Sequence, residues 1–305
     1  MGRSIGAFPM TVPRHFLTGD ELSSAELAAL IDRAAELKAG RTSGAGRGLL
    51  DGRTVALFFE RPSTRTRISF QVGVTELGGD PLPIRADELQ LGRGESLGDT
   101  ARILSRFVAA IVIRSGSHET VAELAEHAEV PVINALTPLH HPCQALADLL
   151  TLKERFELLD GLRVAYVGDG NNVARSLAIA GGKVGVEVVL AAPEGYRLED
   201  GVAKAQTGDP AEAAAGADAI YTDVWVSMGD EETADERRAA LGPFQLNEKL
   251  MDGASDRAIA LHCLPAHPGE EITEGVLYGE RSAVWDQAEN RLHAQKALME
   301  LLLRD

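Results

Sequence analysis

The sequence is poor in cysteine and in positive charge. Only Cys143 and Cys263 occur among 305 residues, so a disulfide framework is excluded and a reducing compartment, the cytoplasm, is predicted. The 30 lysines and arginines are outnumbered by 46 aspartates and glutamates, which leaves a net charge of −16. This charge argues against nucleic acid and against an anionic membrane as partners.

Long apolar segments are also missing. The longest run, residues 107–113, is far too short to span a bilayer, and the first residues lack the charged start and apolar core of a secretory signal. What remains is ordinary for a soluble globular enzyme, because 45% of the residues are hydrophobic and 25% are charged. A chain of 305 residues is longer than most single domains, so two domains are expected.

Strand patterns alternate with helical patterns in both halves of the chain. The predicted strands cover residues 55–59, 109–114, 130–133, 162–167, 187–191, 219–224 and 258–262, and a further short strand is predicted after Gly78-Gly79. Such alternation is typical of parallel sheets with helices on their faces. We therefore predict an α/β protein with two domains, each a parallel sheet flanked by helices. The helix that opens near residue 142 is predicted to bridge the halves.

A strand, a proline and a helix start follow one another between Phe58 and Phe70. The Ser-Thr-Arg-Thr-Arg run at 63–67 is predicted to form the first helical turn, where backbone N–H groups lack partners and the helix dipole is positive. This turn carries Arg65 and Arg67 but no acid, which favours a bound phosphate or carboxylate. Ordinary capping by the serine, with solvated arginines, explains the local pattern equally well.

Two other patterns also admit alternatives. The Gly-Asp-Gly-Asn-Asn run at 168–172 suggests a nicotinamide site, but the third glycine of that fingerprint is missing and the next strand ends without an acid, although Glu194 lies just beyond. An aspartate that ends a buried strand, such as Asp223, is costly unless it meets a cation, although it can also cap the next turn. The histidines and cysteines lack metal-site spacing, so no metal is predicted.

The Ser-Thr-Arg-Thr-Arg run resembles the phosphate loop of the carbamoyltransferases. Three later motifs narrow the resemblance to the ornithine carbamoyltransferase family: His-Pro-Cys-Gln at 141–144, Asp-Val-Trp-Val-Ser-Met-Gly at 223–229 and His-Cys-Leu-Pro at 262–265. The similarity runs from about His15 to the end of the chain. It implies transfer of the carbamoyl group of carbamoyl phosphate to the δ-amine of L-ornithine, giving L-citrulline and phosphate, without a cofactor.

The resemblance also implies roles for individual residues. Arg114 and His141 would polarise the carbonyl oxygen, Gln144 would hold the amide, and Cys263 would face the amine that attacks. The implied catalytic residues are Cys263, Arg65, Arg114 and His141. The implied carbamoyl phosphate contacts are Ser63, Thr64, Arg65, Thr66, Gln90, Arg114, His141, Gln144, Cys263, Leu264 and Arg291. The implied ornithine contacts are Asn172, Asp223, Ser227 and Met228.

The family's organisation implies further expectations for this chain. Residues 1–145 would bind carbamoyl phosphate, with the helix at 286–305 packing back on them, and residues 146–285 would bind ornithine. The polar loop with Gln90 and Arg93 would reach a neighbour's active site, which implies a homotrimer with shared sites. The resemblance does not decide between arginine biosynthesis and the degradative direction.

Two departures from the family pattern and three rival functions remain. The stretch at 193–211 is shorter than is common in the family, and Pro268 stands where many members carry arginine. A carbamoyltransferase for aspartate or putrescine is the nearest rival, although an aspartate enzyme would be expected to show His-Pro-Leu-Pro-Arg at 262–266. A nicotinamide-dependent dehydrogenase and a non-catalytic anion-binding relative are the others.

Overall fold

A computed structural model describes residues 15–60, 63–85, 95–227, 229 and 231–304. The chain divides into two compact units, residues 1–137 with 292–305 (unit 1) and residues 138–291 (unit 2). The predictions for Gln90, Arg93 and Met228 lie outside the described residues. Within the described ranges, no helix combines the length and the hydropathy needed to cross a membrane.

Unit 1 contains a parallel sheet of four described strands, in the order β2-β1-β3-β4. The strands are β1 (Thr54–Phe59), β2 (Asp80–Arg85), β3 (Ala110–Arg114) and β4 (Val132–Leu136). The helices are α1 (Ser24–Ala39), α2 (Thr64–Glu76), α3 (Leu97–Leu104) and α4 (His118–His127). Alternate strand residues such as Phe58, Ile111 and Ile113 form a buried core with Leu124 of α4, as period-two alternation requires.

Local signals set the helix starts of unit 1. At α1, the Ser23 hydroxyl accepts from the Glu26 backbone N–H at 3.3 Å, and the Glu26 carboxylate accepts from the Ser23 N–H at 2.8 Å. This is the reciprocal capping box that the sequence predicts. The helix α2 begins at Thr64 with Ser63 at its N-cap, which confirms the predicted first turn.

Unit 2 contains a parallel sheet of five described strands, in the order β7-β6-β5-β8-β9. The strands are β5 (Arg163–Val167), β6 (Glu187–Ala191), β7 (Ala205–Thr207), β8 (Ala219–Thr222) and β9 (Ile259–His262). The helices are α5 (Pro142–Phe156), α6 (Asn172–Lys183), α7 (Pro210–Ala214), α8 (Ala234–Leu241), α9 (Glu248–Asp252), α10 (Glu274–Leu277) and α11 (Val284–Leu303). Thus α5 lies wholly in unit 2, whereas α11 starts in unit 2 and ends in unit 1.

The end of α11 packs on the helices of unit 1. Its Lys296 ammonium lies 2.8 Å from the Glu76 carboxylate of α2, and its Glu300 carboxylate accepts from Arg33 of α1 at 2.8 Å. A Cβ atom at Gly73 would lie 3.3 Å from side-chain atoms of both Lys296 and Met299. The absence of a side chain at Gly73 therefore allows α2 and α11 to approach closely.

The predicted fold class, parallel sheets flanked by helices in two domains, is confirmed. The elements that the sequence did not predict are β7 and the helices α7 to α10. The strand β7 has only three residues, and α8 buries Leu241 alone, so neither carries a usable hydrophobic period.

Candidate functional site

Each sheet has a point where the strand order reverses, between β1 and β3 in unit 1 and between β5 and β8 in unit 2. In open parallel sheets, ligands bind outside the carboxyl ends of the strands at such points. Ser63 follows β1 and Arg114 ends β3, while Asn172 and Asp223 follow β5 and β8. The predicted site residues of both units are therefore placed where this topology favours a ligand.

In unit 1, the start of α2 and the last residue of β3 supply a group of residues that we call the anion cradle: Ser63, Thr64, Arg65, Thr66 and Arg114. The Ser63 hydroxyl accepts a hydrogen bond from Arg114 Nη1 at 3.0 Å and makes no capping bond to the helix. The alternative that Ser63 caps the helix in the ordinary way is therefore wrong. An N-cap serine normally accepts from the second or third helical N–H, so this hydroxyl serves a different purpose.

The charges around the anion cradle favour a bound anion. Arg65 is exposed, Thr66 is buried, and the first turn of α2 contains no acid. The nearest acid along β1, Glu60, is occupied elsewhere, since it accepts from the Ser115 hydroxyl at 2.7 Å and the Gly116 N–H at 2.8 Å. A helix N-terminus with hydroxyls and guanidinium groups can hold a phosphate through charge-assisted hydrogen bonds.

In unit 2, the start of α5 brings three predicted residues into one buried region. His141 occupies the N-cap and its backbone N–H donates to the Ser176 hydroxyl at 2.8 Å. Arg291 of α11 donates from Nη1 to the Gln144 side-chain oxygen at 3.1 Å. His141, Gln144 and Arg291 are each 4% exposed or less, so any ligand they meet is held in a largely dehydrated environment.

At the ends of β8 and β9, three side chains form what we call the acid pocket: Asp223, Cys263 and Asn171. The Cys263 thiol donates to Asp223 Oδ1 at 2.9 Å, and the Asn171 amide donates to Asp223 Oδ2 at 2.8 Å. Burial raises the pKa of the Cys263 thiol, and the charge of Asp223 and its hydrogen bond raise it further. In this arrangement Cys263 is a thiol that donates to the Asp223 carboxylate.

Asn171 was not singled out in the sequence, where Asn172 is the predicted ornithine contact. The Asn171 side-chain oxygen accepts from the Val173 and Ala174 N–H groups at the start of α6 and from the Tyr166 hydroxyl at 3.0 Å. These three donors fix the amide so that its nitrogen faces Asp223. Asparagine is a preferred N-cap residue, but this preference applies equally to Asn171 and Asn172 and does not separate them in the sequence.

The turn after β9 is held by a buried histidine. His262 Nδ1 accepts from the Leu264 N–H at 2.9 Å, and Nε2 lies 3.1 Å from the Glu271 carboxylate. Leu264 has a left-handed backbone (φ 59°), which is uncommon for a leucine. The histidine thus stabilises the unusual backbone of one predicted carbamoyl phosphate contact.

Gly168 and Gly170, which suggested a nicotinamide site, are explained by the backbone conformation and packing of the turn after β5. Gly168 has φ 128°, and a Cβ at Gly170 would come within 2.7 Å of the Tyr196 carbonyl. Asp169 between them pairs with Arg237 of α8, whose Nε also donates to the Trp225 carbonyl at 2.6 Å. These glycines are needed for the turn and for its close contact with the following loop.

The described residues include two groups whose donor atoms could meet one metal ion: Asp223, His262 and Cys263, and His267, Glu270 and Glu271, each set within 4.8 Å. In the first group both nitrogens of His262 already have partners, and the Cys263 thiol is bound to Asp223. A metal would have to break these bonds. In the second group Glu270 faces the guanidinium of Arg238 at 3.2 Å, which disfavours a second cation.

Known proteins of one family match nearly the whole chain. Residues 14–154 match the family model "Aspartate/ornithine carbamoyltransferase, carbamoyl-P binding domain", and residues 160–302 match the "Asp/Orn binding domain" model of the same family. A relative named ornithine carbamoyltransferase from Acidothermus cellulolyticus is 55% identical, covering 95% of this chain and 96% of the relative.

Solved structures give the same result. Ornithine carbamoyltransferase from Pyrococcus furiosus superposes with a TM-score of 0.91 at 47% identity, covering 95% of this chain and 97% of that one. The enzyme of that name from Thermus thermophilus gives a TM-score of 0.89 at 45% identity, covering 96% of this chain and 100% of that one.

Proposed function

The chain belongs to the aspartate/ornithine carbamoyltransferase family, and we infer that it transfers the carbamoyl group of carbamoyl phosphate to the δ-amine of L-ornithine, giving L-citrulline and phosphate. Two relatives that are 55% and 50% identical over 95% of this chain are named ornithine carbamoyltransferase. The structural observation that supports this choice most strongly is the acid pocket at the ends of β8 and β9.

The acid pocket favours ornithine over aspartate as the substrate. Asp223 is 8% exposed, and among the described residues its hydrogen bonds come from the neutral side chains of Asn171 and Cys263, so neither partner is a cation that offsets its charge. A carboxylate in such a place attracts an ammonium group and repels a substrate with two carboxylates. Ornithine brings two amines and one carboxylate, whereas aspartate brings one amine and two carboxylates.

The proton of the attacking amine sets the role of Cys263. An ornithine δ-ammonium must lose a proton before the nitrogen can attack, and a thiolate beside Asp223 is costly because two negative charges would lie close together. An arriving ammonium lowers that cost. We therefore assign Cys263 a role as a thiol that orients Asp223. When the substrate ammonium binds, the thiol would release its proton to solvent, and the resulting thiolate would accept the δ-ammonium proton before the neutral amine attacks the carbonyl carbon and phosphate leaves.

The remaining residue assignments follow the sequence predictions. In unit 1 the anion cradle would bind the phosphate, with Arg65 stabilising its charge, and Arg114 would polarise the carbonyl oxygen together with His141. In unit 2 His141, Gln144 and Arg291 would meet the carbamoyl group, as would the backbone at Leu264. Gln90 would add a contact to carbamoyl phosphate, and Asn172, Ser227 and Met228 would hold the amino-acid end of ornithine.

A citrulline assay with three acceptors tests the proposed function. Ornithine, putrescine and aspartate are offered in parallel with carbamoyl phosphate, and release of phosphate is measured with formation of the carbamoylated product. We expect ornithine to react fastest, putrescine to be poor because it lacks the carboxylate, and aspartate to be the poorest. Faster carbamoylation of putrescine or aspartate would replace ornithine as the substrate.

We also propose that the enzyme is a cytoplasmic homotrimer in arginine biosynthesis, in which Gln90 of one subunit completes the site of the next. A relative from Pyrococcus furiosus that is 48% identical is named "anabolic", which supports the biosynthetic direction. If Arg65→Ala and Gln90→Ala are each inactive, random reassembly of equal amounts should restore about a quarter of the sites. No recovery despite subunit exchange would mean that each chain builds its own site.

A further inference from the structure

A buried carboxyl group on α5 collects three hydrogen-bond donors from three elements. Asp148 is fully buried, and its Oδ1 accepts from Gln287 of α11 at 2.7 Å, Gln144 of α5 at 2.8 Å and the Tyr221 hydroxyl of β8 at 3.3 Å. Its other oxygen, Oδ2, has no hydrogen-bond partner among the described residues. Three donors on one oxygen indicate that Oδ1 is unprotonated.

This carboxyl group determines which end of the Gln144 amide is available. Gln144 Nε2 donates to Asp148, and Gln144 Oε1 accepts from Arg291 Nη1 at 3.1 Å. An amide oxygen has two lone pairs, so Oε1 can accept one hydrogen bond more. The NH₂ of a carbamoyl group is a donor, and an oxygen held in this orientation is the acceptor that it needs.

We propose that Asp148 is a positioning residue for the carbamoyl group: it holds the Gln144 amide with the nitrogen turned away and the oxygen presented as a hydrogen-bond acceptor. The inference rests on the proposed function, because it takes Gln144 as a carbamoyl contact. Asp148 acts only through Gln144 and touches no reacting atom.

A purely structural role explains this carboxyl group poorly. Burying an acid with one unsatisfied oxygen costs stability, and packed apolar residues fill such positions at lower cost. Burial raises the pKa of Asp148 to about 7, although the hydrogen bonds from Gln287, Gln144 and Tyr221 and the charge of Arg291 act in the opposite direction. Near neutral pH, protonation of the carboxyl group would therefore weaken its hold on Gln144.

Three other ionisable groups near Asp148 titrate well above this range. Burial raises the pKa of Tyr166, Tyr221 and Cys263, and nearby acids that include Asp148 raise it further. These groups stay neutral where Asp148 changes charge. A change between pH 6 and 8 that depends on Asp148 can thus be separated from them.

A double-mutant cycle tests the inference in the full-length enzyme. Asp148→Ala, Gln144→Ala and the double variant are compared for kcat, the KM for carbamoyl phosphate and the inhibition constant of inorganic phosphate, which lacks the carbamoyl amide. Thr151→Val is the matched control, because Thr151 is a buried polar residue one turn further along α5 that contacts Asn290 and not Gln144.

Asp148→Ala should lower kcat/KM for carbamoyl phosphate by about tenfold or more, as expected for a lost orienting hydrogen bond, and leave phosphate inhibition within about twofold. The double variant should be no worse than Gln144→Ala alone. Additive losses, equal weakening of phosphate, or a similar loss in Thr151→Val would overturn the inference. Failure of the wild-type enzyme to make citrulline would instead overturn the proposed function.

Asp148→Asn provides the same test if the alanine variant does not fold. Asparagine keeps an acceptor for Gln144 but has no acidic proton, so this variant should keep most of the wild-type activity at pH 8. The KM for carbamoyl phosphate of the wild type should rise as the pH falls from 8 to 6, and the asparagine variant should flatten that change. A variant with the wild-type pH dependence would show that Asp148 is not the titrating group.

Discussion

In the anion cradle of unit 1 the arginine Arg65 is exposed at a helix start, whereas in the acid pocket of unit 2 Asp223 is buried and hydrogen-bonded to Asn171 and Cys263. An exposed cation costs the fold little and meets its anion through charge and helix N–H groups. A buried acid costs the fold free energy, and its position is fixed before the substrate arrives. The cradle is therefore suited to a phosphate that arrives and leaves, and the pocket to one specific amine.

The cradle should show the largest effect. Arg65→Ala should lower kcat/KM for carbamoyl phosphate by about 10²–10³, because the departing phosphate gains charge that the guanidinium stabilises. Arg102→Ala is the control, since Arg102 is an exposed arginine of α3 paired with Asp99. Steady-state kinetics measure both variants. If Arg65→Ala keeps the wild-type rate at saturating carbamoyl phosphate, Arg65 contributes only to binding of the ground state.

The next effect concerns the thiol of the acid pocket. Cys263→Ala should reduce turnover by about tenfold to 10²-fold and change the limb of the pH profile on which turnover rises with pH, because Asp223 loses one partner and the amine loses a proton acceptor. The KM for carbamoyl phosphate should change much less. Cys263→Ser keeps a donor to Asp223 but ionises far less readily, so it separates the two contributions. If both variants turn over as fast as the wild type, Cys263 has no role in catalysis and serves only in packing.

A smaller effect is expected at the residue that orients the acid. Asn171→Ala removes both the donor to Asp223 and the N-cap of α6, so we expect a loss of turnover with ornithine and of about 1 kcal/mol in unfolding free energy. Asn247→Ala removes a similar cap from α9 in the same unit without contact to Asp223. The loss of unfolding free energy, measured with denaturant, should be similar in the two variants, and only Asn171→Ala should slow catalysis.

The smallest effect is expected far from both regions. Lys296 and Arg41 hold the pKa of Glu76 below its ordinary 4.5, although burial alone would raise it. A depressed carboxyl pKa stabilises the fold above the unfolded value, and this stabilisation is lost as the pH falls. Lys296→Met should lower Tm by a few degrees at neutral pH, with a gap from wild type that narrows below pH 4.5, and leave kinetics unchanged. A gap that widens in acid would contradict this sign.

The sequence predicted the elements that carry a strong period and missed those that do not. The first turn of α2 could be predicted because all of its signals are local in sequence: Ser63 at the helix start, a first turn without an acid, and the apolar residues that follow at helical spacing. Asn171 could not be separated from Asn172, since either asparagine can cap a helix and only the position of Asp223, 52 residues away, decides between them. The network of Asp148 is equally non-local, because its donors come from β8 and α11.

Binding of inorganic phosphate tests the division of labour between the two regions most directly. Its affinity is measured for the wild type, Arg65→Ala and Asp223→Asn. We expect Arg65→Ala to lose about tenfold or more in affinity, as for a charge-assisted contact, and Asp223→Asn to bind phosphate as the wild type does while losing turnover with ornithine. Equal loss of phosphate binding in both variants, or loss only in Asp223→Asn, would contradict the separation of an anion cradle from an acid pocket.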